Sequence, residues 1–240
     1  MLVLFLALVA SAGVWLIWHG TRDVGSYEAA PTPAAEFSNT DTVPPRLTPS
    51  QWRTAQRLGP NRLYIPSLKV NAPVAAVGVS GGQMRLPAPD VTVVGRLTDQ
   101  PTLGSLYAGH VSYNGVRGAL YPLYRTKPGA WVFTSDAAGR RQAWTVTGLR
   151  VARKEPLLGF APVADAGSPV AERLTVVTCG GPVTLLRLAD GRRIHSYRDN
   201  VVLVADRVPW RTLRQEQQPS QPDPADPADV AGVAGSGGAS

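Results

Sequence analysis

Residues 174–182 read Leu174-Thr175-Val176-Val177-Thr178-Cys179-Gly180-Gly181-Pro182. The first five are apolar or β-branched, the side chains of a strand rather than of a helix. The run meets the only cysteine of the chain, and Gly180-Gly181-Pro182 predicts that the strand stops there. Glycines beyond the sulfur leave it exposed and open to the backbone of a ligand. Outward from this stretch, similar short runs recur between turn signals. They are Arg62–Ile65, Val70–Val79, Val91–Gly95, Ser105–Ala108, Ala130–Thr134, Gln142–Arg153 and Asn200–Arg207. Gly81-Gly82, Gly139 and Gly191 mark turns. Pro87, Pro89, Pro101, Pro122, Pro128 and Pro156 exclude long helices over most of this region. One helical turn is expected at Ala161–Ala166. The reading is all-β: eight short strands closed as a barrel or sandwich, with short helices and turns.

The two ends differ in kind from the middle. Met1–Trp18 carries no charged side chain and is about long enough to span a bilayer. Ala10-Ser11-Ala12 resembles a signal-peptide cleavage site, but Val14–Trp18 continue the apolar run beyond it, and Trp15 and Trp18 suit the headgroup region. An uncleaved membrane anchor over residues 1–19 is therefore expected, with the rest of the chain outside the cytoplasm. Residues 20–59, with Pro31, Pro33, Pro44, Pro45 and Pro49 among Ala, Thr and Ser, read as a stalk that cannot order itself by burial. A short helix near Thr48–Leu58, capped by Thr48 or Ser50, ends it. Residues 60–213 form the folded domain. Residues 214–240, rich in Pro, Asp, Ala and Gly, read as a solvated tail. That tail carries acids and, beyond Arg214, no base, so the folded part is more basic than the net charge of +7 indicates.

The 24 Lys+Arg are scattered rather than clustered with aromatics, which argues against nucleic-acid binding. One Cys excludes an intramolecular disulfide framework and a Cys-based zinc cage. The three His, at 19, 110 and 195, lack metal-ligand spacing. Gly78-Val79-Ser80-Gly81-Gly82 fits the G-x-S-x-G pattern of a nucleophile elbow, which needs a helix after it. Pro87 and Pro89 follow instead, so a hairpin turn is the better reading. Three residues carry the chemistry. Cys179 is a competent nucleophile if a cation lowers its pKa or an imidazole pairs with it. His110, in Tyr107-Ala108-Gly109-His110-Val111, also ends an apolar strand. A hydrogen-bonded structural histidine is the plain alternative, and His195, in a polar stretch read as a loop, is the competitor. Arg198 opens the strand that follows. It is either a strand-end cation paired with Asp199 or a fixed charge for an oxyanion.

A strand-end His, a later strand-end Thr-Cys and an Arg opening the next strand resemble a sortase. Tyr107–Val111 is similar to the catalytic-His segment of that family, and Thr175–Cys179 to its TLxTC strand, with Val176 in place of Leu. Gly180-Gly181-Pro182, Tyr197–Val202, Arg62–Pro66 and Leu86-Pro87 resemble the actinobacterial class F form, although Ser112 and Tyr113 stand where that class often has an acid. The resemblance covers about residues 60–208. It implies an eight-stranded sortase-type barrel, membrane-anchored in a Gram-positive cell wall. It also implies a cysteine transpeptidase that cleaves an LPXTG-type sorting signal between Thr and Gly. In that scheme Cys179 attacks the Thr carbonyl, Arg198 stabilises the oxyanion, His110 protonates the leaving amine and Thr178 shapes the site. An amine of peptidoglycan or of its lipid-linked precursor then resolves the thioacyl-enzyme. No metal or organic cofactor is implied, no nucleic acid is bound, and a monomer is expected. Two other readings remain. An L,D-transpeptidase-like acyltransferase would carry a Ser-His-Gly-Cys segment, and here Val176-Val177-Thr178 precede the cysteine. A non-enzymatic surface-binding module explains the anchor, the stalk and the basic domain, but not Cys179, His110 and Arg198 together.

Overall fold

The computed structural model describes residues 28–38, 42–80, 83–98, 105–154, 172–187, 191 and 193–217. In chain order the elements are α1 (Pro49–Gln56), β1 (Arg62–Ile65), β2 (Val70–Val77), β3 (Val79–Ser80), β4 (Gln83–Met84), β5 (Val94–Leu97), β6 (Ser105–Gly109), β7 (Ser112–Tyr113), β8 (Val116–Arg117), β9 (Trp131–Ser135), β10 (Arg141–Arg153), β11 (Arg173–Arg187), β12 (Arg193–Val208) and α2 (Trp210–Gln217). Eight of the strands close a barrel in the order β1-β2-β5-β6-β11-β12-β10-β9. Two contacts in it are parallel, β2 with β5 and β6 with β11, and the other pairs are antiparallel. Closure removes the unpaired edges that short strands would otherwise present.

Alternation along the strands fills the barrel. Leu174 and Val176 of β11, Val201, Leu203 and Ala205 of β12, Trp144 and Val146 of β10 and Tyr107 of β6 share one inner cluster. Each fully buried large aliphatic or aromatic side chain there is worth about 1.5–3 kcal/mol of transfer free energy. Trp144, wholly buried, satisfies its indole by donating to Thr134 Oγ1 at 2.9 Å. A second cluster lies outside the barrel, where Ala55 and Trp52 of α1 and Leu213 and Trp210 of α2 cover Trp131 and Phe133 of β9. The start of α1 has its chemistry in the sequence. Pro49 occupies the first turn, Thr48 Oγ1 accepts the Gln51 N–H at 3.3 Å, and the Gln51 side chain accepts the Thr48 N–H at 2.9 Å.

Several expectations change at their edges. The strand through Cys179 does not stop. β11 runs on to Arg187 across a bulge between Gly180 and Val183, and the left-handed Gly181 (φ 75°) absorbs the extra residue. β12 begins at Arg193, so His195 lies on a strand opposite Leu185, and Arg198 sits inside the strand rather than opening it. Part of the stretch read as a stalk lies on the barrel. Ala30 exchanges both backbone hydrogen bonds with Gly181 at 3.0 Å, and Phe37 pairs with Leu149. Prolines cannot donate in a ladder, and both bridges fall at non-proline residues. Residues 214–217, expected in the tail, belong to α2, whose Gln217 side chain accepts the Leu47 N–H at 3.1 Å. Val79 pairs with Met84 and Ser80 with Gln83, the hairpin expected around Gly81-Gly82. The expected anchor at 1–19, the helical turn at 161–166 and the tail beyond 217 lie outside the described residues. Among the described residues no helix is long and apolar enough to cross a membrane.

Candidate active site

Register places the candidate residues. β6 and β11 run parallel, with Leu174 opposite Ser105 and Thr178 opposite Gly109. The next residue on β11 is Cys179, and the next after the end of β6 is His110. Thr178 locks this end by donating from Oγ1 to the Gly109 carbonyl at 2.8 Å, in a buried setting. Across the antiparallel contact Cys179 faces Asn200, and Arg198 is two residues from Asn200 on the same side of β12. Leu174 and Val176 point inward, so Cys179 has the outward parity. The same alternation from Tyr107 and from Val201 gives His110 and Arg198 outward parity as well. Thiol, imidazole and guanidinium therefore stand at one edge of the outer face.

Each has a defined environment. The Cys179 thiol is half-buried. His110 Nε2 is buried and meets no hydrogen-bond partner among the described residues. The ring is held by its hydrogen bond to the Pro87 carbonyl, which leaves Nδ1 as the donor, and it lies 5.5 Å from the Tyr113 ring. Burial holds the His110 pKa below the ordinary 6.5, and the Pro87 hydrogen bond opposes that shift in part. The imidazole is thus neutral at pH 7, with Nε2 free to take a proton. Gly118 packs under this segment. Its N–H donates to the Val111 carbonyl at 2.9 Å, and a Cβ on it would run into the His110 carbonyl.

Arg198 adopts the bland alternative that its sequence allowed. Its Nε and Nη2 both bond the Asp199 carboxylate, at 3.0 Å and 2.8 Å. Asp199 is itself buried, tucked beneath Gly181, where a Cβ would strike its Oδ2. Arg198 remains half exposed and its pKa is raised first by the hydrogen bond and then by the charge of Asp199. His195 is exposed on the extended β11–β12 hairpin, past the bulge, and is not brought to the Cys179 edge by register. The two glycines after the cysteine do admit a backbone, and it is the chain's own. Pro31 and Thr32 lie against Gly180, and Ala30 pairs with Gly181.

Sequence reasoning assigned no role to Pro87, Ser112, Tyr197 or Lys154, and named Asp199 only as a plain partner of Arg198. The Pro87 carbonyl orients His110. The Ser112 and Tyr197 hydroxyls, 2.6 Å apart, tie the segment after His110 to β12. Asp199 fixes the guanidinium. Lys154, just past the end of β10, donates to Cys179 Sγ at 3.2 Å. The resemblance singles out Leu86-Pro87, Ser112 and Tyr197–Val202 without indicating these roles, and Lys154 carries no local signal.

One stability prediction follows from the His110 environment. Unfolded, the imidazole titrates near its ordinary 6.5, and folded it titrates lower. Below 6.5 the unfolded chain binds the extra proton, so stability present above that pH is lost as pH falls towards the folded value. The melting temperature of the wild-type protein should fall more steeply from neutrality into mild acid than that of His110→Gln. Parallel slopes would show that the ring is not held neutral by burial.

A closed eight-stranded barrel with a half-buried thiol within one strand and a sheltered imidazole just past the end of the strand beside it is the architecture of a thiol-dependent acyl-transfer enzyme. The sortase domain profile matches residues 63–208, and the chain belongs to the sortase family of cysteine transpeptidases. Among solved structures the chain is similar to sortase C-1 of Streptococcus pneumoniae, at 16% identity over 62% of this chain and 66% of that one, with a TM-score of 0.44. It is also similar to sortase A of Corynebacterium diphtheriae, at 15% identity over 92% of this chain and 88% of that one, with a TM-score of 0.43. A third is Clostridium perfringens sortase C with the C-terminal cell wall sorting motif, at 14% identity over 64% and 74% of the two chains, with a TM-score of 0.41. A search of curated proteins finds no match.

Proposed function

We propose that this sortase cleaves an LPXTG-type sorting signal between Thr and Gly and transfers the new acyl terminus to an amine of peptidoglycan or its lipid-linked precursor. The observation that carries the reading is the shared outward parity of His110, Cys179 and Arg198 at one barrel edge. Cys179 Sγ bonds to the Thr carbonyl carbon, and the carbonyl oxygen takes up charge in the tetrahedral intermediate. Arg198, held by Asp199, offers its outward donors to that oxygen or to the substrate backbone. The C–N bond then breaks as His110 Nε2 delivers a proton to the departing amine. The acceptor amine reverses these steps, giving its proton to His110 and expelling the thiol. Thr178 serves by fixing the relative height of the Cys179 and His110 strands. The resemblance to actinobacterial class F sequences supports a single-pass anchor at residues 1–19, a catalytic domain outside the cytoplasm and action as a monomer.

The test is a quenched-fluorophore LPXTG peptide supplied to the full chain in detergent, with and without an amine acceptor. Cleavage, with a ligated product when the amine is present, is the expected result. Cleavage of neither this peptide nor its scrambled control would remove the substrate assignment.

A further inference from the structure

The cation in contact with the sulfur is not the arginine. Lys154 Nζ donates to Cys179 Sγ and to Ser196 Oγ, at 3.2 Å in each case, while the Arg198 guanidinium is bonded to Asp199. The position of Lys154 is built by the fold. Its N–H donates to the Arg198 carbonyl at 3.0 Å, immediately after the last β10–β12 pair, Arg153 with Asp199. Counting outward from Leu149, which packs in the barrel interior, gives Lys154 the same outward parity as Cys179. Lys154 and Ser196 are both partly buried, so water screens the contact less than it would a surface pair.

We propose that Lys154 is a further catalytic residue, whose ammonium, anchored by Ser196, holds Cys179 as a thiolate in the free enzyme. This rests on the assignment of Cys179 as nucleophile. An ammonium beside a thiol favours the anion, and a lysine keeps its proton while doing so. The thiol proton is lost to solvent as the thiolate forms, and His110 Nε2 takes up a proton from solvent and delivers it to the leaving amine, so Lys154 neither gains nor loses a proton over the cycle. The arrangement frees the neutral, sheltered imidazole from having to hold the thiolate as an ion pair. The elements around β11 carry other charged or titratable groups. His110 lies just past the end of β6, and Arg198, Asp199, Tyr197 and, beyond the bulge, His195 lie on β12. Arg153 ends β10, and Glu28 precedes the strip that pairs with Gly181. Of these, Asp199 is bonded to Arg198 and Tyr197 to Ser112.

The experiment is iodoacetamide alkylation of Cys179 as a function of pH, read by intact mass on the full chain. It needs no peptide substrate. Lys154→Met should be alkylated about tenfold more slowly near neutral pH, with the deficit closing in alkali where every thiol ionises. Lys154→Arg should retain most of the wild-type rate. Lys154→Gln gives a second neutral side chain, and circular dichroism checks that each variant is folded. In a His110→Gln background the Lys154→Met deficit should persist. Equal rates for wild type and Lys154→Met would overturn the proposal. So would a deficit that stays constant at all pH, an arginine variant as slow as the methionine one, or a deficit that vanishes without His110. A wild-type chain that shows the Lys154-dependent profile yet cleaves no LPXTG peptide would refute the substrate assignment and leave the role of Lys154 standing.

Discussion

Cys179→Ala abolishes transfer, lowering turnover by at least about four orders of magnitude, and leaves the melting temperature close to that of the wild type. The magnitude follows from mechanism. A pathway that stores the acyl group on sulfur has no second route when the sulfur is gone, and removing a nucleophile elsewhere costs comparable factors. The fold survives because Cys179 has outward parity and is only half-buried, while the interior of β11 is built by Leu174 and Val176. Steady-state turnover and a thermal melt on the same preparation check both halves. Residual activity above that level would assign the chemistry to another group, and a collapsed melt would make Cys179 a structural residue first.

Gly118→Ala is expected to damage both stability and activity without touching substrate. A Cβ at Gly118 meets the carbonyl oxygen and carbon of His110, which are backbone and cannot rotate away. The His110–Val111 segment must therefore move, at about 1–3 kcal/mol for forced overpacking. The imidazole moves with it, away from the position set by Pro87, and a misplacement of about 1 Å is enough to cost about a hundredfold in turnover. Gly139→Ala is the comparison. Its φ of 74° also strains a side chain, but open space surrounds it, and it lies in the β9–β10 hairpin at the opposite end of β10 from Lys154. That variant should lose some stability and keep full turnover. Equal kinetics in the two variants would show that the backbone under His110 has no part in positioning the ring.

The barrel was legible because its strands are short, rich in β-branched residues and punctuated by glycine and proline. The inner faces of Leu174–Thr178 and Val201–Ala205 show this most clearly. His110 was legible as a residue at a strand end, Cys179 only as a residue on its strand, and a parallel register that no sequence pattern encodes sets the two strands side by side. Gly180-Gly181-Pro182 misled because a glycine pair and a proline read as a stop, whereas one left-handed glycine turns them into a bulge and lets β11 continue. Asp190–Ile194 misled in the same way, since a polar, glycine-bearing stretch hid the start of β12. Lys154 was invisible for a different reason. A lysine at a strand end reads as solvated, and only the pairing of β10 with β12 and of β12 with β11 carries it to the thiol.

The most direct test of the account is the intact mass of the full chain after brief exposure to an LPXTG peptide without an amine acceptor. The account predicts an added acyl fragment ending at the Thr of the signal, located on Cys179 by peptide mapping and released by hydroxylamine. A cleaved peptide with no adduct on Cys179, or the same cleavage by Cys179→Ala, would contradict it.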